Sequence, residues 1–161
     1  MAGQYVSPSG AFPAMVVDSS ESRLRIARSH HATSALTGGR DGLPDDTREI
    51  THGRMGDVGF EITGNQEVVP RLFRTVRRLG RAVLFGSPRG RVAVDFHDEV
   101  HTLGQGVSGP HVSTHPEAGT RYNQWVKARD GEVFFDLVRT GRSGLDGMIT
   151  HRYHWREAPE A

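Results

Sequence analysis

The 161-residue sequence contains no cysteine. It therefore forms no disulfide and offers no thiolate to a metal, a composition suited to a reducing compartment, and a cytoplasmic location is expected. An excess of one charge is missing as well: 20 Lys and Arg stand against 19 Asp and Glu, a formal net charge of +1. That balance gives no electrostatic reason to expect nucleic acid or an anionic membrane as partner. No apolar run approaches the roughly 20 residues that cross a bilayer, and no basic stretch leads into an apolar one near residue 1, so no secretory signal is expected. Apolar residues make up 35% of the chain, which promises a modest core, and 20 glycines add backbone entropy that folding must overcome. One ordinary domain of marginal stability is expected.

Residues 1–13 are rich in Gly, Ser and Pro without a period and read as irregular. The run 14–17, ending at Asp18, suits a strand buried on both faces, and Ser19 or Ser20 can cap a helix over 21–28. A short strand over 33–36 and a helix over 45–52 are expected next. Residues 58–62 read as a strand, and Asn65 as the cap of a helix with Val68, Val69, Leu72, Phe73 and Val76 at helical spacing, Pro70 disturbing its first turn and Gly80 ending it. A buried strand over 82–85 follows, then a short helix capped by Asp95 with Phe96, Val100 and Leu103 on one face, and a strand at Val107. Asp130 opens a last helix with Val133, Phe134, Leu137 and Val138 as its stripe, stopped by Gly141, and 148–150 reads as a strand outside this series. Alternation of strand and helix predicts an α/β fold, a parallel sheet with helices on both faces.

In such sheets ligands meet the carboxyl ends of the strands. Asp18 ends the first clear strand. A carboxylate there can accept hydrogen bonds from both ribose hydroxyls of an adenosine and would repel a 2′-phosphate; it can equally serve only as a cap for the following helix, and residue type alone leaves both readings open. Thr63-Gly64 and Gly86-Ser87 close two further strands. Glycine at such a place lets a flat ligand approach the backbone, and it is also ordinary turn chemistry. Two such pairs at successive strand ends favour a nucleotide crevice.

Residues 18–24, opening on Asp18 and carrying Glu21, Arg23 and Leu24, resemble the strand-end segment of the medium-chain dehydrogenase/reductase family, the zinc-type alcohol dehydrogenases. Residues 57–65, from Asp57 through Glu61 to Gly64 and Asn65, resemble the fourth strand and turn of that family, and 80–86 its fifth strand. Residues 145–161, with Ile149, Thr150, His151 and Arg152, resemble the return of the chain to the catalytic domain. The resemblance runs from about Gly3 to the end of the sequence. It implies a Rossmann-like domain over 1–144, incomplete because its first strand and most of its Gly-rich loop are missing, and a remnant of the return segment over 145–161. It further implies that Asp18 holds the adenosine ribose with Arg23 beside it, that Thr63, Gly64, Gly86 and Ser87 line a cofactor cleft, and that Val107 and Ser108 meet the nicotinamide through backbone groups. Gly3 would be the last glycine of the loop. Gly59 stands where the family tends to place a β-branched residue and should weaken its strand.

The implied function is that of the NAD(H)-binding part of an alcohol or polyol dehydrogenase, a fragment without its catalytic domain. The alternative is a non-catalytic module that binds nucleotide or another subunit without turnover. A dinucleotide, another subunit or a separately encoded catalytic domain are the expected partners. Among nine histidines, His97 and His101 stand at i and i+4, the spacing of a zinc helix, with His111 or His115 as distant third ligands. The apolar stripe through Phe96, Val100 and Leu103 accounts for that helix without a metal. A solvated pair is expected there, the family's zinc is not expected in this chain, and His30 and His31 read as surface.

Overall fold

A computed structural model describes residues 2–30, 32–39 and 41–160; His31 of the pair read as surface lies outside them. The fold is α/β, with parallel strands flanked by helices, and it divides into two compact units, Met1–Gly38 with Ala128–Ala161 and Gly39–Lys127.

The first unit opens with a helix where irregular chain was expected. Helix α1 (Ala2–Val6) stops at Ser7-Pro8, and Gly10 turns the chain at φ 89°. Strand β1 (Met15–Asp18) and strand β2 (Ser34–Thr37) form a two-stranded parallel sheet in which Asp18 lies opposite Thr37. Strand β1 is not buried on both faces as its apolar run suggested: Val17 is 37% exposed. Helix α2 (Glu21–Ser29) connects the two strands and packs on both through Leu24, which is fully buried. Helix α5 (Lys127–Arg139) begins one turn before the expected Asp130. Its stripe is the expected one, with Val133, Phe134, Leu137 and Val138 half-buried, and Gly141 ends it at φ 69°. Gln4 is buried within this unit, and its Oε1 accepts from Ser143 Oγ at 2.6 Å and from the Gly144 amide at 2.9 Å. Residues 148–150, expected as a strand, form no strand, and Ile149 is exposed.

In the second unit helix α3 (Leu43–Ile50) starts two residues before the expected 45, because Pro44 suits a first helical turn. Strand β3 (Gly56–Glu61) leads to Asn65, whose Oδ1 accepts from the Glu67 amide at 3.0 Å and so caps a single 3-10 turn, Gln66–Val68. Helix α4 (Val69–Thr75) follows with Pro70 in its first turn, where a missing N–H loses no intrahelical bond, so the expected disturbance does not arise. The chain leaves the helix at Thr75 rather than at Gly80. Strand β4 (Val76–Leu84) begins there, with a register slip that sets Gly56 opposite Val76 but Val58 opposite Arg81. Strand β5 (Gly106–Ser108) completes a parallel sheet of order β3-β4-β5. The core lies between helix α4 and this sheet: Val69, Leu72, Phe73, Val76 and Ala82, with Leu84, Val92, Val94 and Val100 against it.

Asp95 caps the next helical turn as expected, its Oδ1 accepting from the amides of His97 and Asp98 at 3.0 and 3.1 Å. The turn, Phe96–His101, is π-helical: the Thr102 amide bonds the His97 carbonyl at 2.9 Å, five residues back. That wider winding takes Phe96 off the face expected to carry it. Val100 packs on the core, whereas Phe96 is 65% exposed.

Gln105 is buried, and its Nε2 donates to the carbonyls of Phe73 and Val76, both at 2.9 Å. These carbonyls stand where helix α4 ends, so a side chain about 30 residues away closes the helix. Gln105→Leu, close in size, removes both donors. It is expected to lower the stability to urea by about 2 kcal/mol; a loss under about 0.5 kcal/mol, the scale of an ordinary surface change, would show that water replaces the side chain.

Candidate functional site

In the first unit Asp18 is the last residue of strand β1. Its Oδ1 accepts from the Ser20 amide at 2.8 Å, which helps start helix α2 while the Ser20 hydroxyl pairs with Ser22 instead. The capping reading is therefore realised through one oxygen. The other, Oδ2, lies 3.8 Å from the exposed Arg23 guanidinium, too far for a hydrogen bond and close enough to orient it. Asp18 thus keeps an acceptor oxygen while Arg23 partly offsets its charge. Gly3 sits in helix α1, where a Cβ would come no nearer than 3.8 Å to the His30 carbonyl oxygen, so space does not demand glycine.

In the second unit the ends of strands β3 and β4 bring together Thr63, Gly64, Gly86 and Ser87. One residue that the sequence reading passed over organises them. Glu61 ends strand β3, only 1% exposed. Its Oε1 accepts from the Thr63 amide and hydroxyl, both at 2.6 Å, and from the Gly64 amide at 2.9 Å. Its backbone carbonyl accepts from the amides of Phe85 and Gly86 at 2.8 and 2.7 Å. Its Oε2 is buried, with no hydrogen-bond partner among the described residues. Thr63 Oγ1 in turn accepts from the Asn65 amide at 3.0 Å, so this hydroxyl is engaged inward.

The two glycines serve each other before any ligand. A Cβ on Gly86 would lie 2.5 Å from the Gly64 nitrogen, and one on Gly64, at φ 74°, would lie 2.8 Å from the Gly86 oxygen. Two turns thus touch through their backbones. Ser87 beside them is exposed and held at φ 55°, a left-handed conformation unusual for a side chain with a Cβ. An Asn65–Arg89 bridge continues the pairing beyond the strands. Val107 and Ser108 lie in strand β5, both exposed, opposite Ala82 and Val83. These partners lie within strand β4, before the Gly86 turn that follows it, so Val107 and Ser108 sit alongside that strand rather than at its terminal turn.

A signal for Glu61 was present in the sequence: Val58, Phe60 and Ile62 alternate with Gly59 and Glu61, placing a carboxylate on the same side as a glycine that helix α4 overlies. The His97 and His101 rings have centroids 6.0 Å apart, and His97 Nδ1 is 2.8 Å from Asp98 Oδ1. His111 Nδ1 is engaged with Ser113. Among the described residues no group of three or more His, Cys, Asp or Glu is placed to hold a metal, and no helix is long and apolar enough to cross a membrane.

Residues 1–127 match the family described as zinc-binding dehydrogenase. The L-threonine 3-dehydrogenase of Pyrococcus furiosus is 25% identical over 148 residues, covering 90% of this chain and 38% of that enzyme. A crystal structure of an alcohol dehydrogenase zinc-binding domain protein from Burkholderia ambifaria superposes with a TM-score of 0.81 at 22% identity, over 99% of this chain and 40% of that one. Escherichia coli quinone oxidoreductase, solved with NADPH, gives 0.71 at 19% identity, over 90% and 43%. At these identities the structural likenesses speak for the fold alone. The chain spans 38% of the length of the curated relative from Pyrococcus.

Proposed function

Because this chain belongs to the zinc-binding dehydrogenase family, we propose that it is the nucleotide-binding part of a cytoplasmic NAD(H)-linked alcohol or polyol dehydrogenase. The observation that carries the reading is Asp18: a carboxylate at the carboxyl end of a parallel strand, with Oδ1 spent on the backbone and Oδ2 left without a hydrogen bond among the described residues. Oδ2 would accept from the adenosine ribose, with Arg23 flanking the same end. In the second unit the Gly64 and Gly86 turns and the exposed Ser87 would line the cofactor, and Val107 and Ser108 would meet the nicotinamide through backbone groups. The dinucleotide supplies hydride exchange with the substrate; the residues here bind and orient it.

The donor set does not fit the family's zinc. The sequence has no cysteine, and the described residues hold no ligand cluster. Catalytic ligands would come from a separate catalytic domain or subunit, which is the partner this reading implies.

Calorimetric titration with NADH and NADPH tests the proposal. NADH is expected to bind more tightly, since Asp18 opposes a 2′-phosphate. Asp18→Ala is expected to weaken NADH binding by about 1–3 kcal/mol, the range of a charge-assisted hydrogen bond. Equal affinities for the two cofactors would sink the assignment of Asp18.

A further inference from the structure

We propose that Glu61 is a positioning residue for the dinucleotide, the latch that sets the shape of the two strand-end turns; the ligand's identity rests on the function proposed above. Buried carboxylates in folded proteins are paired with cations or fully hydrogen-bonded. Glu61 is neither: among the described residues no ion pair involves it, and Oε2 has no donor. Such a group is retained at a cost in stability, which asks for a use beyond packing.

The geometry supplies the use. Five hydrogen bonds converge on this one residue, three on Oε1 from the turn after strand β3 and two on its carbonyl from the end of strand β4. They fix Gly64 at φ 74° against Gly86, and Ser87 at φ 55° follows directly. The orphan Oε2 lies where a Cβ on Gly86 would come within 2.7 Å, so it stands against the second turn while Oε1 holds the first. A carboxylate serves here better than a neutral group because one oxygen must take three donors at once, and charge strengthens each bond. Glu61 does not touch the ligand; it holds the turns that would.

The test uses Glu61→Ala, Glu61→Gln and, as a control for stability alone, the core variant Val76→Ala. NADH affinity is read by fluorescence titration at a temperature where circular dichroism shows each variant folded. Amide exchange at Thr63 and Gly64 is read by NMR. Glu61→Ala is expected to raise the NADH Kd about tenfold or more and to speed exchange of both amides by a similar factor, the loss of bonds worth at least 1.4 kcal/mol in total. Glu61→Gln keeps an oxygen in the place of Oε1 but not its charge, and is expected to lie between the parent and Glu61→Ala in both readouts. Val76→Ala is expected to lower the melting temperature and leave the Kd within about threefold. If Glu61→Ala does not fold, Thr63→Ala, which removes one donor to Oε1, is expected to raise the Kd about threefold. The proposal is overturned if Glu61→Ala and Val76→Ala change the Kd alike, if the two amides stay protected in Glu61→Ala, or if Thr63→Ala as the substitute leaves the Kd unchanged. A parent chain without NADH affinity would overturn the proposed function, while amide exchange in the same variants would still decide whether Glu61 holds the turns.

Discussion

Gly86→Ala is expected to destabilise the chain by about 3 kcal/mol, the upper part of the range for overpacking a closed site. The new methyl would stand 2.5 Å from the Gly64 nitrogen and 2.6 Å from the Ile62 carbonyl carbon. Both are backbone atoms of the neighbouring strand end, and neither has a rotamer by which to withdraw. The same methyl would meet Glu61 Oε2 at 2.7 Å, pressing an apolar group on a carboxylate oxygen that already lacks a donor. Relief requires strands β3 and β4 to separate at their ends, which breaks the Phe85 and Gly86 bonds to the Glu61 carbonyl. Gly109→Ala is the control: nothing lies within 4 Å of a Cβ there, and the expected change is within about 0.5 kcal/mol. Urea unfolding of the two variants beside the parent measures the difference. A Gly86→Ala variant as stable as Gly109→Ala would mean that the strand ends do not touch as described.

The elements legible in the sequence are those whose signals are local. The run ending at Asp18, the helix after it and the stripe of helix α5 stand within a residue or a turn of their expected places, because apolar spacing and end residues decide them. What escaped depends on distant partners. The helical spacing of Val68 to Val76 continues past the helix, but Val76 turns into strand β4 because its side chain fills the space over Gly59 and Gln105 binds the carbonyls at the helix end. Gly59, expected to weaken its strand, also leaves room for helix α4 to sit close: a Cβ would lie 2.6 Å from Leu72 Cδ1 and 2.9 Å from Val76 Cγ2. The expected strand over 148–150 had local apolar residues but has no strand to pair with among those described. For the candidate site, residue type drew attention to Asp18 and the two glycine turns without deciding their role. The reason the glycines are glycines was hidden, because it lies in one turn's contact with the other and in a glutamate whose inward register was its one mark.

Supplying a further parallel strand beside β1 is expected to raise both the melting temperature and the affinity for NADH. Among the described residues strand β1 pairs with β2 alone, a two-stranded parallel sheet, and strand β3 is likewise an edge of its own sheet. Parallel sheets are normally buried and many-stranded, and a two-stranded sheet has little independent stability in water. The side chains agree with open edges, since Val17, Val58 and Phe60 are 37%, 46% and 44% exposed on strands whose apolar character suits burial. Unpaired N–H and C=O groups beside such residues invite association, so the chain alone is expected to self-associate. A fused segment preceding residue 1, carrying an apolar strand and a G-x-G-x-x-G turn, would give β1 a second neighbour. It would also bring the backbone N–H groups of a glycine turn, the kind that hold a pyrophosphate. The melting temperature is expected to rise by about 6 °C or more, roughly the effect of 2 kcal/mol in a chain of this length. Adding NADH at about 100 times its Kd should then stabilise the fused chain by a further 2.7 kcal/mol or so, through binding to the folded state alone. Thermal unfolding with and without NADH, with light scattering for association, reads all three effects. A chain that, without the added strand, unfolds as a cooperative monomer would show that the open edges carry no such consequence.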